Sequence, residues 1–142
     1  MTADVDASLL HAWQTLPDSC RSAPATHEEL AAFEREYGPI PPTYRRFLET
    51  FGGGVVGHQW LDSIAELPAS HRKFEAERKA EGGWTMEAVF IIGWDGSGNP
   101  LGLHLHTGEL LVEDHDFGGI HRVADSFEAF LAAGLLGDNR DA

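Results

Sequence analysis

The 142-residue chain is short of cysteine, short of basic residues and without a long apolar run, and each shortage closes off a class of function. A single cysteine, Cys20, excludes an internal disulfide and a Cys-rich zinc cluster. Arg21 stands beside it, but no histidine neighbours it, so it reads as an unused thiol. No apolar stretch approaches the ~20 residues needed to span a bilayer. The opening MTADVDASLL lacks the basic start and apolar centre of a secretory signal, so a reducing cytoplasm is the expected compartment. Ten Lys and Arg stand against 23 Asp and Glu, a net charge of −13. That field repels phosphate backbones and anionic lipid, which argues against nucleic-acid and membrane binding. Two readings of its role stand side by side: solubility alone, or the steering of a basic protein partner inward.

What is present is enough for one core. Hydrophobic residues make up 42% of the chain and aromatics 10%, and the length predicts one domain over 1–142. Asp6–Leu16 predicts a helix with Leu9, Leu10, Trp13 and Leu16 on one face, and a polar connector runs to Ala25. Thr26 and Glu29 form a capping box for a second helix, whose stripe is Leu30, Phe33 and Tyr37 and whose end is Gly38. Pro39, Pro41 and Pro42 separate it from a third helix carrying Tyr44, Phe47, Leu48 and Phe51, which stops at Gly52–Gly54. Val55–Leu61 reads as one strand. Pro68–Glu81 reads as a charged, solvated outer helix anchored by Phe74.

Ala88–Trp94 is apolar on both faces and predicts a central strand. Leu101–His106 and Glu109–Asp114 then predict a hairpin about Thr107-Gly108. In that register Leu103, Leu105, Leu110 and Val112 share a buried face, and His104, His106, Glu109, Leu111 and Glu113 share a wetter one. Asp116–Gly119 reads as a loop. Asp125 and Glu128 read as a capping box for a last helix bound by Phe127, Phe130 and Leu131, and residues 137–142 are expected to fray. The order predicts an α+β fold, a mostly antiparallel sheet flanked by helices.

Few motifs survive their context. Gly52-x-Gly54-x-x-Gly57 matches a dinucleotide pattern, but here a helix feeds a strand, the reverse of what phosphate binding needs, and no cofactor is expected. Asp95-x-Ser97-x-Asn99 starts like a calcium loop and then meets Pro100 and His106 where glycine and glutamate are required. His27-Glu28 lacks the second histidine of a zinc-protease helix, and no nucleophile elbow is present. The best metal candidate is His104, His106 and His115 with Glu109 and Glu113, since histidines two apart share a strand face. Trp60, Trp84, Trp94 and Phe117 are candidate contact aromatics. The expected partner face is Trp94, Asp95, Glu109, Glu113, Asp114 and Asp116, acidic groups beside an aromatic anchor.

The order and spacing of several short segments carry a resemblance. They are Leu30, Phe33, Glu34, Gly38, Ile40, Pro41, Tyr44, Phe47, Leu48, Gly52 and Gly53, then Phe90–Gly93, Asp95–Gly98, Asp114–Asp116 and Ser126–Leu131. In these the chain resembles the Smi1/Knr4 family, also called the SUKH superfamily. It departs from the family at Leu101–His104, where many members carry an aspartate or tyrosine pattern. The resemblance implies a non-enzymatic α+β module, in bacteria mostly an immunity protein that neutralises a toxin, often a nuclease, and in fungi a regulatory hub. A cognate toxin, basic because it grips phosphate, is thus the expected partner. A regulatory scaffold, and a metal-dependent binder or enzyme centred on the hairpin histidines, are the alternatives. Partner identity and oligomeric state stay open.

Overall fold

The computed structural model describes residues 3–137, with side chains from Ala7 onward; of the tail expected to fray, 137–142, all but Gly137 lies outside the described residues. Helix α1 spans Ala3–Gln14. Helix α2, His27–Tyr37, begins at the expected capping box: Glu29 N donates to Thr26 Oγ1 at 3.1 Å and Thr26 N to Glu29 Oε1 at 2.9 Å. Two amide donors that would otherwise be orphaned are thereby satisfied. Helix α3, Pro42–Thr50, starts behind Pro41 and buries Tyr44, Phe47 and Leu48.

The glycines after α3 serve the connector before α2. Ser22 N donates to Gly53 O at 2.7 Å and Arg21 bridges Gly54. A Cβ on Gly54, at φ +139°, would lie 2.2 Å from Cys20 O. Close backbone approach accounts for the run.

Val55–Leu61 is two strands, not the expected one. β1 (Gly54–Val56) and β2 (Gln59–Leu61) pair through the turn Gly57-His58, which Gly57 allows with φ +66°. Helix α4 (Leu67–Lys79) follows, then β3 (Val89–Trp94), β4 (Pro100–His104), β5 (Leu110–Glu113) and β6 (Ile120–Ala124). These four form an antiparallel sheet in chain order. β6 has no clear period in the sequence, because all but its last residue are exposed.

The β4–β5 turn is longer than expected. Leu103 pairs with Leu110, His104 N donates to Glu109 O at 2.8 Å, and Leu105–Gly108 form the loop. The slip is two residues, so the inward face survives as Leu101, Leu103, Leu110 and Val112, while Leu105 is turned out and 55% exposed. That face, with Phe90 and Ile92, packs on Leu30 and Phe33 of α2, Tyr44 and Phe47 of α3, and Phe127 and Leu131 of helix α5 (Phe127–Leu136). Ser126, not Asp125, caps α5, accepting from Ala129 N at 3.1 Å. Asp125 instead meets Arg122 at 3.2 Å.

The opposite face is not the wetter one predicted. A second cluster of Phe74, Met86 and Ile91, flanked by Trp84, Val89, Trp94 and Leu111, covers it. α4 therefore docks on this face through Phe74, with Ser70 bonded to Trp94 and Leu67 reaching the main core, and is no solvated outer element. A bulge in β3 sets the side of Trp94. Ile91 pairs with Gly102 and Gly93 with Leu101, so Ile92 is the extra residue and Trp94 joins Ile91 on the second face.

Candidate functional site

The β3–β4 turn organises one end of the sheet. Asp95 Oδ1 accepts from Ser97 N and Asn99 N, both at 2.9 Å, and its Oδ2 from Asn99 Nδ2 at 3.1 Å. Partial burial pushes this carboxyl up, but the hydrogen bonds from Asn99 and Ser97, with nearby His115, outweigh burial and hold it below its ordinary value. The side chain of Asn99, itself buried, passes the connection on: its Oδ1 accepts from His115 N at 2.9 Å and from His115 Nδ1 at 2.5 Å. His115 Nε2 then lies 3.1 Å from Asp116 Oδ1. Asp114 Oδ1 accepts from Asp116 N at 2.8 Å and Phe117 N at 3.1 Å, which shapes the β5–β6 turn. Asp95, Asp114 and Asp116 thus stand on one hydrogen-bonded scaffold.

Two tryptophans flank it. Trp84 and Trp94 lie 6.3 Å apart between ring centroids, and Trp84 is 6.1 Å from His115, edge to face. Trp84 Nε1 donates to Glu77 Oε1 at 2.9 Å, and Lys73 Nζ contacts Glu77 Oε2 at 3.0 Å while sitting 3.8 Å over the Trp94 ring. The bond from Lys73 is the main reason that Glu77 stays below its ordinary carboxylate value. A groove of about 360 Å³ runs between Lys73, Glu77, Trp84, Gly98 and His115.

Beneath Trp94 lies a buried acid that no sequence pattern announces. Trp94 Nε1 donates to Ser70 Oγ at 3.2 Å, and Ser70 Oγ donates to Asp62 Oδ2. Burial pushes the Asp62 carboxyl up to about 7, against a lowering bond from Ser70 and with a further push from Glu66. Tyr44 OH donates to the Asp62 carbonyl at 2.5 Å, and burial, then Asp62 and Glu66, raise its phenol well above the ordinary value.

The remaining expected residues fall elsewhere. Glu113 faces inward, 8% exposed, accepting from Thr85 N at 2.8 Å, Thr85 Oγ1 at 2.9 Å and Met86 N at 2.9 Å. It latches the 84–88 segment over the sheet and offers nothing to solvent, a correction to its place on an open acidic face. Glu109 closes the β4–β5 loop at the far end, against Thr107 at 3.1 Å and Arg122 at 3.4 Å. His104 and His106 are neighbours there, 5.6 Å apart, and His104 Nδ1 already accepts from His106 N and Thr107 N, both at 3.2 Å. His115 is tied to Asn99, at the other end of β4, so the three histidines do not converge. Among the described residues no group of three or more His, Cys, Asp and Glu is placed to hold a metal ion.

Asn99 was visible through the Asp95-x-Ser97-x-Asn99 spacing. Lys73, Glu77, Ser70 and Asp62 were not, because each reaches the site across a helix or a glycine break.

The fold and this surface define a small α+β domain whose polar and aromatic groups gather at one rigid end of a sheet. The chain belongs to the SMI1/KNR4 family (SUKH-1), whose model matches residues 24–133. No curated protein matches the chain. Among the described residues no helix is long and apolar enough to cross a membrane.

Proposed function

We propose that the chain is a non-enzymatic, cofactor-free protein-binding module of the cytoplasm, an immunity protein that holds and neutralises a basic protein toxin. The observation that carries this reading is the end of the sheet where Trp84 and Trp94 stand beside Asp95, Asp114 and Asp116. Aromatic groups on a fixed scaffold supply the desolvated centre of an interface at low entropic cost. Carboxylates around it, in a chain of net charge −13, set the approach of a basic partner. A toxin that cleaves nucleic acid must hold phosphate with cations, and a surface of this sign complements it. Membership of a family in which binding modules of this kind occur supports the same reading.

The test begins with capture of the partner from source cells at low salt, identified by mass spectrometry. Stopped-flow association with the purified partner should slow steeply as salt rises to physiological strength, and Asp116→Lys should lower the on-rate more than it raises the off-rate. An on-rate indifferent to salt and to Asp116→Lys leaves the acidic surface a solubility device. A captured partner without toxic activity would instead make the chain a regulatory scaffold.

A further inference from the structure

The two edges of the four-stranded sheet differ in how far their backbones are satisfied. Along β3 three carbonyls are taken by groups from outside the sheet: His71 Nε2 donates to Ile91 O at 3.1 Å, Asp62 N to Ile92 O at 2.8 Å, and Gln59 Nε2 to Trp94 O at 3.0 Å. β6 is the other edge, and among the described residues no strand pairs with its outer side. Ile120, His121, Arg122 and Val123 are all exposed.

The register tells which backbone groups point outward. Asp114 N donates to Gly119 O at 3.0 Å, which makes that pair hydrogen-bonded. In an antiparallel ladder bonded and non-bonded pairs alternate, so Glu113–Ile120 is non-bonded, Val112–His121 bonded and Leu111–Arg122 non-bonded. The N–H and C=O of Ile120 and Arg122 therefore face away from β5, toward whatever comes alongside.

We infer that the Ile120–Ala124 edge receives an extended segment of a basic partner as an added antiparallel strand, an inference that rests on the binding role proposed above. Backbone bonds would supply the affinity and flanking side chains the selectivity. Charge selects the occupant. Arg122 is already met by Glu109 at 3.4 Å and Asp125 at 3.2 Å, and Asp114 and Asp116 stand at the start of the strand. Two carboxylates thus flank the one guanidinium, and two more stand at the other end of the strand, so acidic groups outnumber the cation along this edge. A second copy of this chain would bring a further charge of −13 to the same rim, which disfavours self-pairing. Phe117, 91% exposed in the turn before β6, and Ile120 give the incoming strand an apolar foothold.

The test uses the full chain and two synthetic strands, one alternating lysine with valine and one alternating glutamate with valine. Amide hydrogen exchange read by NMR should be fast at Ile120 and Arg122 in the free protein and slow at His121. The basic strand should slow exchange at Ile120 and Arg122, and the acidic strand should not. Compared with Arg122→Ala, Arg122→Pro further removes an outward N–H and should bind the basic strand roughly tenfold more weakly, the worth of about one backbone hydrogen bond. Arg122→Ala, which removes a positive charge, should bind the basic strand as well as the parent or better. Should Arg122→Pro fail to fold, the exchange pattern of the unaltered chain decides alone.

The inference is overturned if neither strand binds, if protection appears elsewhere, or if Arg122→Pro binds as tightly as Arg122→Ala. It is equally overturned if the protein self-associates through these amides. Equal binding of both strands at this edge would uphold the added strand and remove its charge selectivity. A captured basic partner that leaves these amides unprotected would uphold the binding role and remove the added strand.

Discussion

Asp62 holds a carboxyl in a site with little water, under Trp94 and within reach of Ser70 and Tyr44. Its folded value near 7 lies above its ordinary 3.8, so the folded state keeps a proton that the unfolded chain releases first. The stability that this proton contributes is complete below pH ~4, is lost as pH rises toward ~7, and changes little beyond. Each pH unit crossed between those limits removes about 1.4 kcal/mol. His71 works the other way, because burial first of all lowers its ring value, with Ile91 and Glu75 opposing. Its neutral form is favoured in the fold, and acid therefore removes its contribution. The difference between the parent and Asp62→Asn isolates the first effect. Chemical denaturation across pH 4–8 should show the parent losing ground to Asp62→Asn as pH rises, by a few kcal/mol in all. A flat difference would mean that Asp62 titrates as an ordinary surface acid. Glu113, also buried, accepts from three donors of Thr85 and Met86.

Among the elements, the contact of β2 with β3 decides the shape of the candidate surface. It holds Gln59 on the Trp94 carbonyl and Asp62 on the Ile92 carbonyl, and so fixes the strand end from which Trp94 projects. Gly93 makes the contact possible, since a Cβ there would lie 2.8 Å from Trp60 O. Gly93→Ala should push β2 away and cost ~1–3 kcal/mol, the usual cost of overpacking. Gly96→Ala, where nothing lies within 4 Å, is the matched control and should stay within ~0.5 kcal/mol of the parent. Thermal melts of both variants, with tryptophan fluorescence, check the pair. The element pattern was largely legible in advance. The Thr26–Glu29 box, the stripe of Tyr44 and Phe47, and the leucine alternation of β4 and β5 all mark real elements. β6 was not legible because an exposed edge strand need not alternate. The split of Val55–Leu61 was missed because a two-residue turn at Gly57-His58 leaves the apolar run almost unbroken.

For the whole molecule the dominant quantity is the charge of −13. The described ion pairs are few and mostly at the surface, such as Arg78–Glu75 at 2.9 Å and Arg45–Glu49 at 2.7 Å, so much of the acidic excess repels itself. Screening shortens the reach of that repulsion from about 30 Å at 0.01 M salt to about 8 Å at 0.15 M. The melting temperature should therefore rise over that range, with no partner present. A melting temperature that falls as salt is added would show that attractive pairs outweigh the repulsion. Partner association should respond to salt in the opposite sense, slowing as the steering field is screened.

Local sterics and side-chain period determined the elements, their caps and the α+β class, because these depend on residues within a few positions of one another. Composition determined the net charge. Only the tertiary structure decided which surfaces those elements left free. Glu113 turned inward because the 84–88 segment, far away in sequence, presents three donors to it. The three histidines separated because His104 ends β4 while Asn99, the partner of His115, precedes its start. Trp94 reached the second face because one extra residue in β3 reverses the alternation beyond it. A strand's pattern of residues tells which side chains share a face, but what covers that face depends on elements packed from elsewhere in the chain.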